Sequence, residues 1–96
     1  MMMAILDLPV IEGKLDEAVG LLRHGLVATR AFDGNVGAEV LLDDDPSHLL
    51  IVETWESAAH NHAYQSWRLT PEGVLPGFGD LLRGPSVMTE YTVAHH

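Results

Sequence analysis

Apolar positions along this chain recur at one of two spacings, and each change of spacing marks a new element. Met3 to Leu8 is a short apolar run closed by Pro9, which predicts a strand, and Ile11-Glu12-Gly13 supplies the turn after it. From Lys14 the spacing lengthens: Leu15, Ala18, Val19, Leu22 and Leu26 recur at three and four, predicting a helix that runs to about Ala28. Asp16 and Glu17 suit the positive end of its dipole, and Arg23, His24 and Arg30 fall at or near the negative end. Asp33-Gly34 breaks the chain, Asn35 to Leu42 reads as a second strand, and Leu49 to Trp55 as a third. Between these strands, Asp43-Asp44-Asp45-Pro46-Ser47 has the residue types of a tight turn. The acids there lack the ligand spacing of a cation loop, so the expectation is a solvated hairpin turn.

Ser57 is a natural N-cap for a helix over Ala58 to Leu69. Thr70 and Pro71 resemble a fresh helix start, but Pro76, Gly77 and Gly79 allow only a short or bent third helix, which would present Leu75, Phe78 and Leu82. Val87 to Val93 alternates as a last strand. The order strand, helix, strand, strand, helical region, strand predicts one domain over residues 1–96. With right-handed crossovers, that domain is a ferredoxin-like α+β fold: a four-stranded antiparallel sheet with helices on one face. On the third strand Leu50 and Val52 point one way and Leu49, Ile51, Glu53 and Trp55 the other, so neither side is built for water. The helices cover one face only. A second copy, packing sheet to sheet into a homodimer, is the expected cover for the other.

A chain of 96 residues forms a thin core, which oligomerisation would relieve. The net charge of -9, from fourteen acids against five Lys and Arg, disfavours nucleic acid and anionic membranes as partners. With no cysteine there are no disulfides, thiolate metal sites or Cys nucleophile. Met1 to Leu6 lacks a basic leader and is interrupted by Asp7 and Pro9, so a cytoplasmic protein is expected. His95-His96 has the look of a tag remnant and is given no role.

Several segments together resemble the antibiotic biosynthesis monooxygenase domain family. They are Gly13-Lys14-Leu15-Asp16-Glu17, Arg30-Ala31-Phe32-Asp33-Gly34, Val52-Glu53-Thr54-Trp55-Glu56-Ser57, and the following helix with Ala63-Tyr64. The resemblance spans nearly the whole chain and implies a dimeric α+β barrel. Relatives include cofactor-independent oxygenases of anthrones and quinols, haem-degrading enzymes and an isomerase, so membership defines a fold more narrowly than a reaction. The anthrone oxygenases are similar in placing an active-site Trp where Trp55 stands. Their Asn four residues earlier and Tyr six later correspond to Ile51 and Asn61 here. The Trp and axial His of the haem-degrading relatives correspond to Tyr64 and Val74, which disfavours haem.

The helix after Ser57 carries the densest chemistry. Helical spacing groups His60, Tyr64 and Trp67 on one face and Asn61 with Arg68 on another. His60 and His62 diverge at i, i+2, so no metal site is expected. Histidine as a residue type is suited to proton transfer at physiological pH, which makes His60 the candidate general base; its alternative is a partly exposed His without a duty. Glu53, on an inward strand face, is either paired with Arg30, Arg68 or a backbone donor, or held protonated in a cavity, and Asp7 poses the same question.

The resemblance thus implies an oxygenase of a quinol, phenol or anthrone-like aromatic that needs no cofactor. Its expected catalytic residues are His60, Trp55, Asn61 and Tyr64, with Glu53, Trp67, Arg68 and Arg30 holding the substrate. Two alternatives stand beside it. One is a dimer that binds a small molecule without turnover; the other is an isomerase of a small metabolite, for which only Arg30 and Arg68 offer positive charge. An open cavity beside the helix favours catalysis, and a filled one favours a structural role.

Overall fold

The computed structural model describes residues 1–94, so His95 and His96 lie outside the described residues. The elements are β1 (Met2–Pro9), α1 (Leu15–Ala31), β2 (Asn35–Leu42), β3 (His48–Trp55), α2 (Ala58–Arg68) and β4 (Val87–Thr92), with one 3-10 turn over Gly79–Leu81. The strands form a single antiparallel sheet in the order β2-β3-β1-β4. This is the ferredoxin-like arrangement, in which the crossover from β1 through α1 to β2 leaves a gap that β3 fills.

Local chemistry accounts for most element ends. Ser57 caps α2, its Oγ accepting the His60 backbone N–H. Helix α1 continues to Ala31, three residues past the end that the sequence predicts, because its apolar stripe continues through Thr29, which is buried against Tyr64 of α2. The expected third helix does not form. Thr70 instead closes a turn, its Oγ1 donating to the Trp67 carbonyl at 2.6 Å and accepting from the Gly73 N–H at 3.2 Å, and the chain then runs irregularly to the 3-10 turn. With Pro76, Gly77 and Gly79 in the next turn, helix propagation fails there.

Gly34 ends the link from α1 to β2 with φ +85, and a Cβ at this position would run into the His60 ring. Gly34→Ala is therefore expected to cost about 1–3 kcal/mol from backbone strain and from displacing His60. Urea unfolding would measure it, and an unchanged midpoint would contradict it.

The core has two lobes. Leu8, Val10, Ala18, Leu22, Leu26, Leu49 and Ile51 pack under α1, and Met2, Ala4, Trp55 and Tyr64 pack under α2 with Phe32 and Trp67. The helix-free face of the sheet carries an apolar band flanked by Asp7, Glu39, Thr54 and Thr89. Register places Ile5 beside Val52, Met3 beside Tyr91, Leu50 beside Leu41, and Val87 next to Asp7. On this face Val87 is 62% exposed and Tyr91 55%. No helix among the described residues is long and apolar enough to cross a membrane.

Candidate active site

Between the two lobes the core opens into a cavity of about 260 Å³. Leu22, Gly25, Leu26 and Thr29 of α1 line one side, and Tyr64, Gln65 and Arg68 of α2 another. Leu6, Ile51 and Glu53 of the sheet, with Val74, Leu75, Phe78 and Gly79, complete it. The buried polar residues among those described are Thr29, Glu53 and Asn61, and all belong to the hydrogen-bond network around this cavity. Buried polar groups persist in a small core only when they are satisfied or put to use.

Glu53 is the chemical focus. Alternation on β3 turns it inward beside Ile51 and Trp55, leaving it 2% exposed. Burial pushes its pKa from the usual 4.5 up to about 7. The Trp55 indole, the Arg68 charge and the Gln65 amide oppose that rise only in part. Gln65 Nε2 donates to Glu53 Oε1 at 3.3 Å and to Asn61 Oδ1 at 3.1 Å. The Trp55 indole N–H lies near enough to Glu53 to lower its pKa, yet it closes no hydrogen bond and is buried without a partner.

A second cluster faces the same space. Arg68 donates from Nε to the Tyr64 hydroxyl at 2.6 Å, and from Nη2 to the Gly25 carbonyl at 2.7 Å and Thr29 Oγ1 at 3.0 Å. Its Nη1 donates to the Gly73 carbonyl at 3.0 Å. Thr29 Oγ1 and the Tyr64 hydroxyl lie 2.7 Å apart, and burial raises the Tyr64 pKa, so the phenol stays protonated. The arrangement combines a carboxyl that ionises near neutrality with a cation and a phenol able to stabilise negative charge.

The structure brings together Glu53, Tyr64 and Arg68 at the cavity, with Asn61 beneath them holding Gln65. Trp55 and Trp67 belong to the adjoining aromatic cluster, Trp55 with its ring centroid 4.9 Å from Tyr64 and Trp67 at 6.2 Å, rather than to the cavity wall. His60 is elsewhere. Its Nδ1 lies 2.7 Å from Ser57 Oγ, its ring covers the Gly34 turn, and its Nε2 is 3.9 Å from Asp33 and 4.0 Å from Glu56. Positions 61, 64, 65 and 68 form the inward stripe of α2, and His60, in the first turn, is captured by the cap residue.

Arg30 is also removed from the cavity. Its Nε and Nη2 both bond the Ala38 carbonyl, at 3.2 and 2.7 Å, tying the end of α1 to β2 beside a separate groove. His62 turns to Glu90 at 3.1 Å, and Asp7 is matched by His48 at 2.8 Å. Gln65 and Thr29 join the site without standing among the candidates that the sequence offers. Gln65 sits at i+4 from Asn61, and Thr29 continues the Leu22–Leu26 stripe, so a hydroxyl on an apolar helix face was the available signal.

The antibiotic biosynthesis monooxygenase family model matches residues 1–72. Among solved structures, a Nitrosomonas europaea protein provisionally named for that family aligns with a TM-score of 0.84 at 17% identity, covering 99% of this chain and 100% of the other. A Deinococcus radiodurans protein under the same provisional name aligns at 0.81 and 23% identity, covering 100% and 95%. A Mycobacterium tuberculosis protein aligns at 0.75 and 20% identity, covering 100% and 98%. The comparison with curated proteins gives no match.

Proposed function

Because the chain belongs to the antibiotic biosynthesis monooxygenase family, we propose that it is an oxygenase of a small aromatic substrate and that Glu53 is its general base. The carrying observation is a buried carboxyl with a pKa of about 7 in the wall of a largely apolar cavity that Arg68 and Tyr64 share. A base near the working pH gives the best compromise between ionised fraction and proton affinity. Glu53 takes a proton from an acidic ring carbon or hydroxyl, and the resulting anion is stabilised by the Arg68 charge and the protonated Tyr64. Leu22, Leu26, Ile51 and Phe78 give it apolar walls that offer water no hydrogen-bond partners.

The electron-rich anion passes an electron to O₂, the radical pair combines into a peroxide anion, and the proton held by Glu53 converts it to a hydroperoxide that then loses water. A ring CH₂ becomes a carbonyl, one oxygen atom enters the product and the other leaves in water. The substrate supplies all the electrons, so no resident redox group is needed. A cavity of about 260 Å³ lies just under the usual span of about 300–1,000 Å³ for ligand sites, which suits one or two rings.

Oxygen uptake with a panel of quinols, naphthols and anthrones tests the reaction. Turnover of the panel without oxygen consumption would favour isomerisation by the same base and cation. His60→Ala is expected to leave kcat within about threefold of wild type, since His60 neither lines the cavity nor contacts Glu53. A loss of hundredfold would return the base role to His60.

The functional unit proposed is a homodimer joined through the helix-free sheet face. Support comes from the apolar band across it, with Met3, Ile5, Leu50, Val52 and Tyr91 on neighbouring strands. Sedimentation is expected to give a dimer at micromolar concentration, and Val52→Glu to give a monomer. A wild-type monomer would remove this part of the proposal.

A further inference from the structure

We propose that the ligand of this cavity is an aromatic acid, held with its carboxylate beside Arg68 and its ring between α1 and the sheet. The assignment rests on reading the cavity as the substrate site and narrows the substrate class. Arg68 is a cation without a counter-ion: among the described residues no carboxylate stands within salt-bridge distance of it, although the chain holds fourteen acids. Its four protein hydrogen bonds go to two backbone carbonyls and two hydroxyl oxygens, all neutral, and its guanidinium lies over the Tyr64 and Trp67 rings at 5.2 and 5.0 Å, which leaves the cation without a carboxylate partner and with one Nη1 hydrogen free.

A partly buried guanidinium without an ion-pair partner gains from an anion brought to it, and a carboxylate matches its donors. Glu53 shares the cavity, but no ion pair joins it to Arg68. The other lining side chains that carry polar atoms are Thr29, Tyr64 and Gln65, none of them charged at neutral pH. The net charge of -9 works against anions at long range, so a preference for an acid over its neutral analogue has to arise locally.

The test compares 6-hydroxy-2-naphthoate with 6-hydroxy-2-naphthamide, two rings of equal shape that differ in charge, by calorimetric titration of the full chain under nitrogen at pH 7. The acid is expected to bind about tenfold more tightly than the amide, the scale of one charge-assisted contact. Arg68→Met should bring the two within about twofold, and Arg68→Lys should retain most of the preference. Glu53→Gln should tighten the acid at pH 8 and leave the amide unchanged, because it removes a like charge.

Equal binding of acid and amide by the wild type, or binding of neither, overturns the proposal. So does a preference that persists in Arg68→Met. If Arg68→Met does not fold, the wild-type pair and Glu53→Gln decide alone. Binding is read without turnover, so an acid preference without oxygen uptake sinks the oxygenase reading and not this one. Oxygen uptake with equal binding does the reverse.

Discussion

Glu53→Gln is expected to lower turnover by about 10²–10⁴-fold, the range for losing a positioned general base. The same variant should become more stable than wild type as pH rises. The pKa of Glu53 is raised from 4.5 to about 7 by burial. Below pH 4.5 the carboxyl is neutral in both folded and unfolded chains; between 4.5 and 7 the folded protein keeps a proton that the unfolded chain releases. Its stabilising contribution is therefore full at acid pH and lost as pH climbs through about 7.

Glutamine does not ionise, so relative to wild type Glu53→Gln should gain about 3 kcal/mol between pH 4 and pH 8. Urea unfolding at both pH values reads the difference, and an oxygen electrode reads the turnover. Opposite signs in the two assays separate a base held at energetic cost from a structural carboxyl. A variant that stays active, or a stability gap that does not change with pH, removes Glu53 from the role. The wild-type rate should also rise with pH on a limb centred near 7.

Trp55→Ala carries the largest expected loss of stability, about 3–5 kcal/mol for deleting a fully buried Trp. Trp55 is completely buried and packs edge-on to Phe32 and tilted against Tyr64 within the α2 lobe of the core. A domain of this size has a total stability of order 5–15 kcal/mol, so the variant should lose most of its cooperative transition. Trp55→Phe separates packing from chemistry. It keeps an aromatic ring but removes the N–H that partly lowers the Glu53 pKa, so the activity limb should move to higher pH while the fold survives. Equal destabilisation by Ala and Phe would count against packing as the main role, and an unmoved pH limb would count against the indole acting on Glu53.

The element order, the antiparallel sheet and the inward set Leu49, Ile51, Glu53 and Trp55 were legible in the sequence. Period-two and period-three-to-four patterns follow directly from strand and helix geometry. Ser57 as a cap was legible too, because a hydroxyl before an unbroken run satisfies a local need. Asn61, Tyr64 and Arg68 could be named from one helix, but not the reason they converge. Thr29, from a helix more than thirty positions earlier, meets Tyr64 and Arg68 only when α1 and α2 lie side by side on the sheet.

His60 shows the opposite limit. Its residue type suggested a base, and packing at the cap of α2 turned it to Ser57 and the Gly34 turn. Sequence alone determined which residues face the core, because side-chain direction is a property of the local backbone. Tertiary structure alone decided which of those inward polar groups share one cavity and what their pKa values become. Burial and distance between separate elements are set by packing, which no local pattern records.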